Sequence, residues 1–309
     1  MYEQFFGFDE MPFSLTPDTL FFLNHQSHRE ALNTLLLSIK HCEGFIKIVG
    51  EVGTGKTLLC RILISRLNKG FVTAYIPNPD LTSAELKAFV AQEIGADYTP
   101  GMPTHELMSA IYRKLIQLSR AGKQVVLVVD EAQAMPRETI ESLRLLTNLE
   151  TEKHKLLQVV MLGQPELDVL LARPDLRQLN QRIVFSERLM PFSAAGVRDY
   201  ITHRLSSAGA ANPALFSTAA KTLVYWGSGG VPRLINILCH KALICAYGKG
   251  TEKVTAWYVA KAIADTQESR FIGKLCALHL RAAPWYSAML LLGMNHPVSQ
   301  ALGMLGGLA

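Results

Sequence analysis

Gly50, Gly55, Lys56 and Thr57 stand in the spacing GxxxxGK[ST], at the end of the stretch FIKIVGEVGTGKT from Phe45 to Thr57. Glycines in such a loop carry no Cβ, so a ring of backbone N–H groups is free to face inward on an anion. Lys56 brings a charge that reaches the outer phosphates of a nucleotide, and the Thr57 hydroxyl is a ligand of the type Mg²⁺ takes. Glu51, Val52, Gly53 and Thr54 fill the loop and Leu58 follows it, so the stretch reads as a cradle for the phosphates of ATP.

A second group of candidates is acidic. The run QVVLVV, Gln124–Val129, ends in Asp130 and Glu131 within DEAQ. A carboxylate at the carboxyl end of a buried strand sits where ligands bind in open parallel sheets. There Asp130 would hold Mg²⁺ and Glu131 would orient or deprotonate an attacking water; otherwise the two acids cap the helix that follows. Gln164, in MLGQPEL, is placed either to contact the γ-phosphate and the water or to serve as a turn residue before Pro165.

Three arginines complete the set. Arg177 and Arg182 lie in DLRQLNQRIVF, just before an apparent last strand. Either one is placed to act as an arginine finger on a neighbouring subunit's nucleotide, or to be an ordinary surface cation. Arg233 falls in the first turn of a helix opened by GGVPRLIN. A cation there opposes the helix dipole, so a compensating partner is expected, either a bound phosphate or an ion pair.

The elements that must position these residues follow from periodicity. Phe45, Ile46, Ile48 and Val49 form a strand-like run, and Leu58, Leu59, Ile62 and Leu63 recur with helical spacing. The loop therefore lies at a helix N-terminus, whose dipole favours anions. Before it, a helix is expected over about 28–41. After it come strands at 71–76, 124–129 and 157–162, separated by helices at about 82–94, 104–119 and beyond Pro136. Thr82 with Glu85 makes a capping box. This alternation implies an α/β domain with a mostly parallel sheet. From residue 193 onward the strand signal fades, and helices at about 194–207, 217–225, 232–247 and 256–267 suggest a small all-α domain.

The expected organisation is an N-terminal arm over 1–27, an α/β domain over 28–192, an all-α domain over 193–270 and an apolar tail over 271–309. The arm is rich in phenylalanine and proline, and either packs on the core or lines a nucleotide-base pocket. At 49% hydrophobic and 18% charged, the chain has globular composition. Its net charge of +5 permits contact with nucleic acid or an anionic membrane without requiring it. Five cysteines without a CxxC pair point to a reducing, cytoplasmic compartment. The acidic N-terminus predicts no cleavable leader, and the histidines show no metal-ligand spacing.

Taken together, the phosphate loop, DEAQ, Gln164, Arg182 and the GxPR helix resemble an AAA+ ATPase. The stretches FFGFDEMPFSLTPDTLFF, GFIKIVGEVGTGKTLLCR and LGQPELDVLL with LNQRI resemble, more narrowly, the ExeA/GspA-type secretion ATPases. The resemblance covers about residues 1–270. It implies a five-stranded core in the order 5-1-4-3-2, a helical lid and action as a homo-oligomer. It gives Gln164 the sensor-1 role, Arg182 the finger role in trans and Arg233 the sensor-2 role.

It also implies ATP and Mg²⁺ as cofactors, and inner-membrane components of a type IV pilus or type II secretion apparatus as partners. In GspA relatives a membrane helix and a periplasmic peptidoglycan-binding domain follow the ATPase; with the sequence ending at Ala309, no such domain is expected here. The segment 282–309 has no Lys, Arg, Asp or Glu and is either a membrane-associated or a soluble tail. Two other functions fit the same core. One is an AAA+ DNA-binding regulator of the transposition or replication type, although no winged-helix pattern follows Gln267. The other is a nucleotide-gated scaffold that barely hydrolyses ATP.

Overall fold

The computed structural model describes residues 2–270, except 24, 43, 68, 152–154, 211 and 213, together with 274 and 275. The chain divides into two compact units: Thr16–Pro191, and Met1–Leu15 joined to Phe192–Ala309. The aromatic segment read as one arm over 1–27 is therefore shared between the two units, changing hands at Leu15 and Thr16.

The N-terminal segment opens with α1 (Tyr2–Phe6). Within the unit 16–191, α2 (Gln26–Lys40) leads into β1 (Phe45–Gly50), α3 (Lys56–Arg66), β2 (Phe71–Ile76), α4 (Ser83–Ile94) and α5 (Thr104–Arg120). There follow β3 (Gln124–Val129), α6 (Arg137–Leu146), β4 (Leu157–Gly163), α7 (Glu166–Leu171), α8 (Arg177–Asn180) and β5 (Ile183–Leu189). All five strands pair in parallel in the order β2-β3-β4-β1-β5, the order that the resemblance implies. The fold class is thus α/β with a parallel five-stranded sheet, followed by C-terminal helices.

The period of two along each strand sorts side chains to the two faces of the sheet. Ile46, Ile48, Val126, Val128, Val160 and Leu162 face α2 and α3 in one buried cluster. Phe45, Val125, Leu127, Val129, Val159 and Met161 face α4, α5 and α6 in the other. Both faces being covered explains why β1, β3 and β4 read as continuous apolar runs instead of alternating ones. The capping box forms as expected: the Thr82 hydroxyl accepts from Glu85 N–H while the Glu85 carboxylate accepts from Thr82 N–H at 2.8 Å.

Some boundaries move. The helix expected beyond Pro136 ends at Leu146, where the Thr147 hydroxyl donates to Arg144 O at 2.9 Å. The last predicted helix ends at Ala264, not near Gln267, because Lys241 Nζ captures Asp265 O, Asp265 Oδ2 and Thr266 Oγ1 just beyond it.

In the other unit, α9 (Ala194–Ser207), α10 (Thr218–Ser228), α11 (Pro232–Tyr247) and α12 (Ala256–Ala264) form a helical cluster. Ser193 and Ser217 cap α9 and α10 through their hydroxyls. The N-terminal segment belongs to this cluster for a specific reason. The buried Arg204 guanidinium donates to Pro12 O and, at 3.0 Å, to Ser14 O. Two backbone carbonyls thus help to satisfy a charge that burial would otherwise penalise. Among the described residues no helix is long and apolar enough to cross a membrane. The apolar tail at 282–309 lies outside the described residues.

Candidate nucleotide site

The strand order creates the site. β1, β4 and β3 are consecutive neighbours and parallel, so their carboxyl ends lie side by side. The loop after β1, Asp130 and Glu131 after β3, and Gln164 after β4 therefore converge at one edge of the sheet, as ligand sites in open α/β sheets do.

The loop is shaped by its glycines. Gly53 and Gly55 have φ of +78° and +96°, backbone that L side chains rarely adopt. A Cβ on Gly50 would lie 2.7 Å from Thr54 Oγ1, so that position also requires glycine. Thr54 Oγ1 donates to Glu51 O at 2.8 Å and closes the turn from within. Lys56 folds back over the loop, its ammonium donating to Gly50 O at 2.8 Å and Glu51 O at 3.1 Å. Burial pushes its pKa down, while the charges of Glu131 and Asp130 work in the opposite direction. Phosphate oxygens are the stronger acceptors for such a cation.

Thr57 lies in the first turn of α3, and its hydroxyl donates to Asp130 Oδ2 at 2.7 Å. The other carboxylate oxygen of Asp130 accepts from Glu131 N–H at 2.9 Å. Asp130 is 2% exposed, and burial raises its pKa despite these two donors. A hydroxyl and a nearly enclosed carboxylate in contact, beside a lysine and a glycine loop, are an oxygen donor set suited to Mg²⁺, so the residues fit that ion.

Glu131 is held differently. It is a non-glycine residue at φ +50°, a strained conformation that turns its side chain toward the end of β4. Glu131 Oε2 accepts from Gln133 Nε2 at 2.6 Å and from Gln164 Nε2 at 2.9 Å. Gln133 Oε1 in turn accepts from the backbone N–H of Gln164 at 2.9 Å, which closes a ring of three residues. Burial pushes the Glu131 carboxyl up, but the donors Gln164 and Gln133 and the charge of Lys56 outweigh it, leaving the pKa below the ordinary value.

The structure thus gathers Gly50–Thr57, Asp130, Glu131 and Gln164, with Leu58 half-buried behind the loop in α3. Arg182 is not among them. It precedes β5 at the amino end of the sheet, where its guanidinium donates to Asn148 Oδ1. Arg177 is exposed at the start of α8. Arg233 lies in the other unit, exposed in the first turn of α11, and forms no ion pair among the described residues.

Two participants escaped the sequence reading. Gln133 was visible as the last letter of DEAQ but carried no signal of where its amide would point. His28 extends the apolar stripe of α2 (Ala31, Leu32, Leu35, Ile39) by one turn, so it reads as a core position. Instead its Nε2 meets Thr54 O at 2.8 Å.

Residues 39–171 match the model of a family described as an AAA domain. Over 294 residues, 93% of this chain, the sequence is 41% identical to general secretion pathway protein A of Aeromonas hydrophila. The chain spans 54% of the length of that relative.

Solved structures share the fold. An ORC2 protein of Aeropyrum pernix, in ADPNP–ADP complexes, has a TM-score of 0.62 at 17% identity, over 84% of this chain and 72% of that one. The Thermotoga maritima RuvB Holliday junction branch migration motor has a TM-score of 0.52 at 16% identity, over 77% and 68%. Residues 39–171 thus match an AAA domain, and over most of its own length the chain is similar to general secretion pathway protein A.

Proposed function

We propose that this chain is a Mg²⁺-dependent ATPase that supports a secretion or pilus apparatus from the cytoplasmic face of the inner membrane. The observation that carries the enzymatic part is the ionised Glu131, held by two amides beside the Thr57–Asp130 pair and the Lys56-capped loop.

In this reading the inward N–H groups of residues 51–57 and the Lys56 ammonium bind the β- and γ-phosphates of ATP. Thr57 and Asp130 would hold Mg²⁺, which when bound neutralises negative charge shared between those phosphates. Glu131 accepts the proton of a water attacking in line with the leaving oxygen. Gln164 donates to the γ-phosphate or the water in exchange for its present bond to Glu131, and Gln133 keeps the carboxylate aimed as that bond is lost.

Arg182, half-buried at the amino end of the sheet and far from its own loop, serves the site of a neighbouring subunit in a homo-oligomer once it leaves Asn148. Arg233, a cation in the first turn of α11 with no ion pair among the described residues, is available to a phosphate, the sensor-2 role that the resemblance gives it. Homology to general secretion pathway protein A supports type II secretion partners. The finer assignment, to an MshM-like protein of MSHA type IV pilus assembly, rests on sequence resemblance alone.

Substitution Glu131→Gln tests the enzymatic reading, because it keeps the shape and removes the base. ATP affinity should stay within about twofold while turnover falls about 10²- to 10⁴-fold. Wild-type turnover in that variant would rule out Glu131 as the base.

A further inference from the structure

We infer that His28 is a positioning residue for the phosphate cradle, fixing the peptide between Thr54 and Gly55 from behind. The inference deepens the ATP-binding reading and rests on it.

His28 sits in the first turn of α2 and is 4% exposed. A carbonyl oxygen only accepts, so at 2.8 Å the His28 Nε2–H donates to Thr54 O. Burial pushes the imidazole pKa down, which keeps the ring neutral at physiological pH with its proton on that nitrogen. In a trans peptide the C=O and the following N–H point in opposite directions, and no cis peptide occurs among the described residues. Drawing the Thr54 carbonyl toward α2 therefore turns the Gly55 N–H away from α2, to the opposite side of the loop.

Gly55 makes the approach possible. Its φ of +96° is a conformation that disfavours a side chain, and an added Cβ would lie 3.2 Å from His28 Nε2. Glycine at this position thus has two duties, toward the ligand and toward the histidine behind it. Phe22 presses its ring edge-on against His28 with centroids 6.0 Å apart, limiting how the imidazole can turn. Without the imidazole, the peptide could rotate toward the orientation that points an oxygen at the phosphates, replacing attraction by repulsion.

Three variants test this on the full chain. His28→Leu keeps apolar bulk and removes the donor, and His28→Ala removes both. His28→Gln places an amide N–H at a similar reach. Affinities for ADP and for adenosine are measured by competition with a fluorescent nucleotide, below the melting temperature of each variant.

The expected result is about tenfold weaker ADP binding for His28→Leu and His28→Ala, from loss of one buried hydrogen bond. Adenosine affinity should be unchanged, and His28→Gln should recover most of the ADP affinity. A simple loss of folded protein lowers the amplitude of binding without this selectivity for phosphate. Wild-type ADP affinity in His28→Leu, or equal losses for ADP and adenosine, would overturn the role of His28 alone. Absence of ADP binding by the wild type would overturn the cradle reading, and this inference with it.

Discussion

Asp130 and Glu131 are neighbours in sequence, yet the fold drives their protonation in opposite directions. Asp130 is enclosed and its pKa is raised from 3.8, whereas Glu131 is clasped by two amides and lies below 4.5. For Asp130 the folded state binds its proton more tightly than the unfolded chain does. Its contribution to stability is therefore favourable below the unfolded value and is lost as pH rises through the folded one.

At neutral pH the ion-free protein thus carries a buried carboxylate at a cost, a common feature of sites built to receive a cation. Asp130→Asn should stabilise the nucleotide-free protein at pH 7 by about 1 kcal/mol, and the gain should shrink toward pH 4. Denaturant titrations at the two pH values check this; a destabilised Asp130→Asn protein at pH 7 would show that the carboxylate's hydrogen bonds outweigh its burial. Gly55 and Lys56, which belong to a contiguous motif of fixed spacing, were legible from the sequence. Gln133 and His28 were not, because their roles depend on partners 31 and 26 residues away.

At the scale of elements, the strand order matters more than any one strand. Sequence periodicity located β1 to β4 to within a residue because all four are buried on both faces or end in strong turn signals. The edge strand β5 was harder to see: Val184 and Phe185 are exposed, and Glu187 and Arg188 interrupt its apolar pattern. Periodicity also says nothing about which strands are neighbours, and that came from resemblance.

In the helical unit, the entry to α11 shows a local rule at work. Gly230 has φ +80°, and a Cβ there would lie 2.0 Å from Phe192 O, while Gly230 O accepts from Phe192 N–H at 2.9 Å. The backbone of residue 192 lies too close for any side chain. Gly230→Ala should cost about 3 kcal/mol or more, from the left-handed backbone and the forced separation together. Thermal unfolding reads this directly, and an unchanged midpoint would mean that the segment shifts without penalty.

On the scale of the whole molecule, the loop, Asp130, Glu131 and Gln164 converge at one end of the sheet as a candidate nucleotide site, while Arg182 lies at the other end. A chain arranged this way is expected to turn over ATP efficiently only when a second copy supplies the missing charge. Steady-state ATP turnover with Mg²⁺ tests that claim on wild type, Lys56→Ala, Arg182→Ala and an equal mixture of the two variants. Wild type should hydrolyse ATP, and each variant alone should be at least about 10²-fold slower. The mixture should recover part of the wild-type rate, because some interfaces pair an intact Lys56 with an intact Arg182. Hydrolysis by Lys56→Ala at the wild-type rate would contradict the site, and a mixture no faster than its parts would contradict its completion by a neighbour.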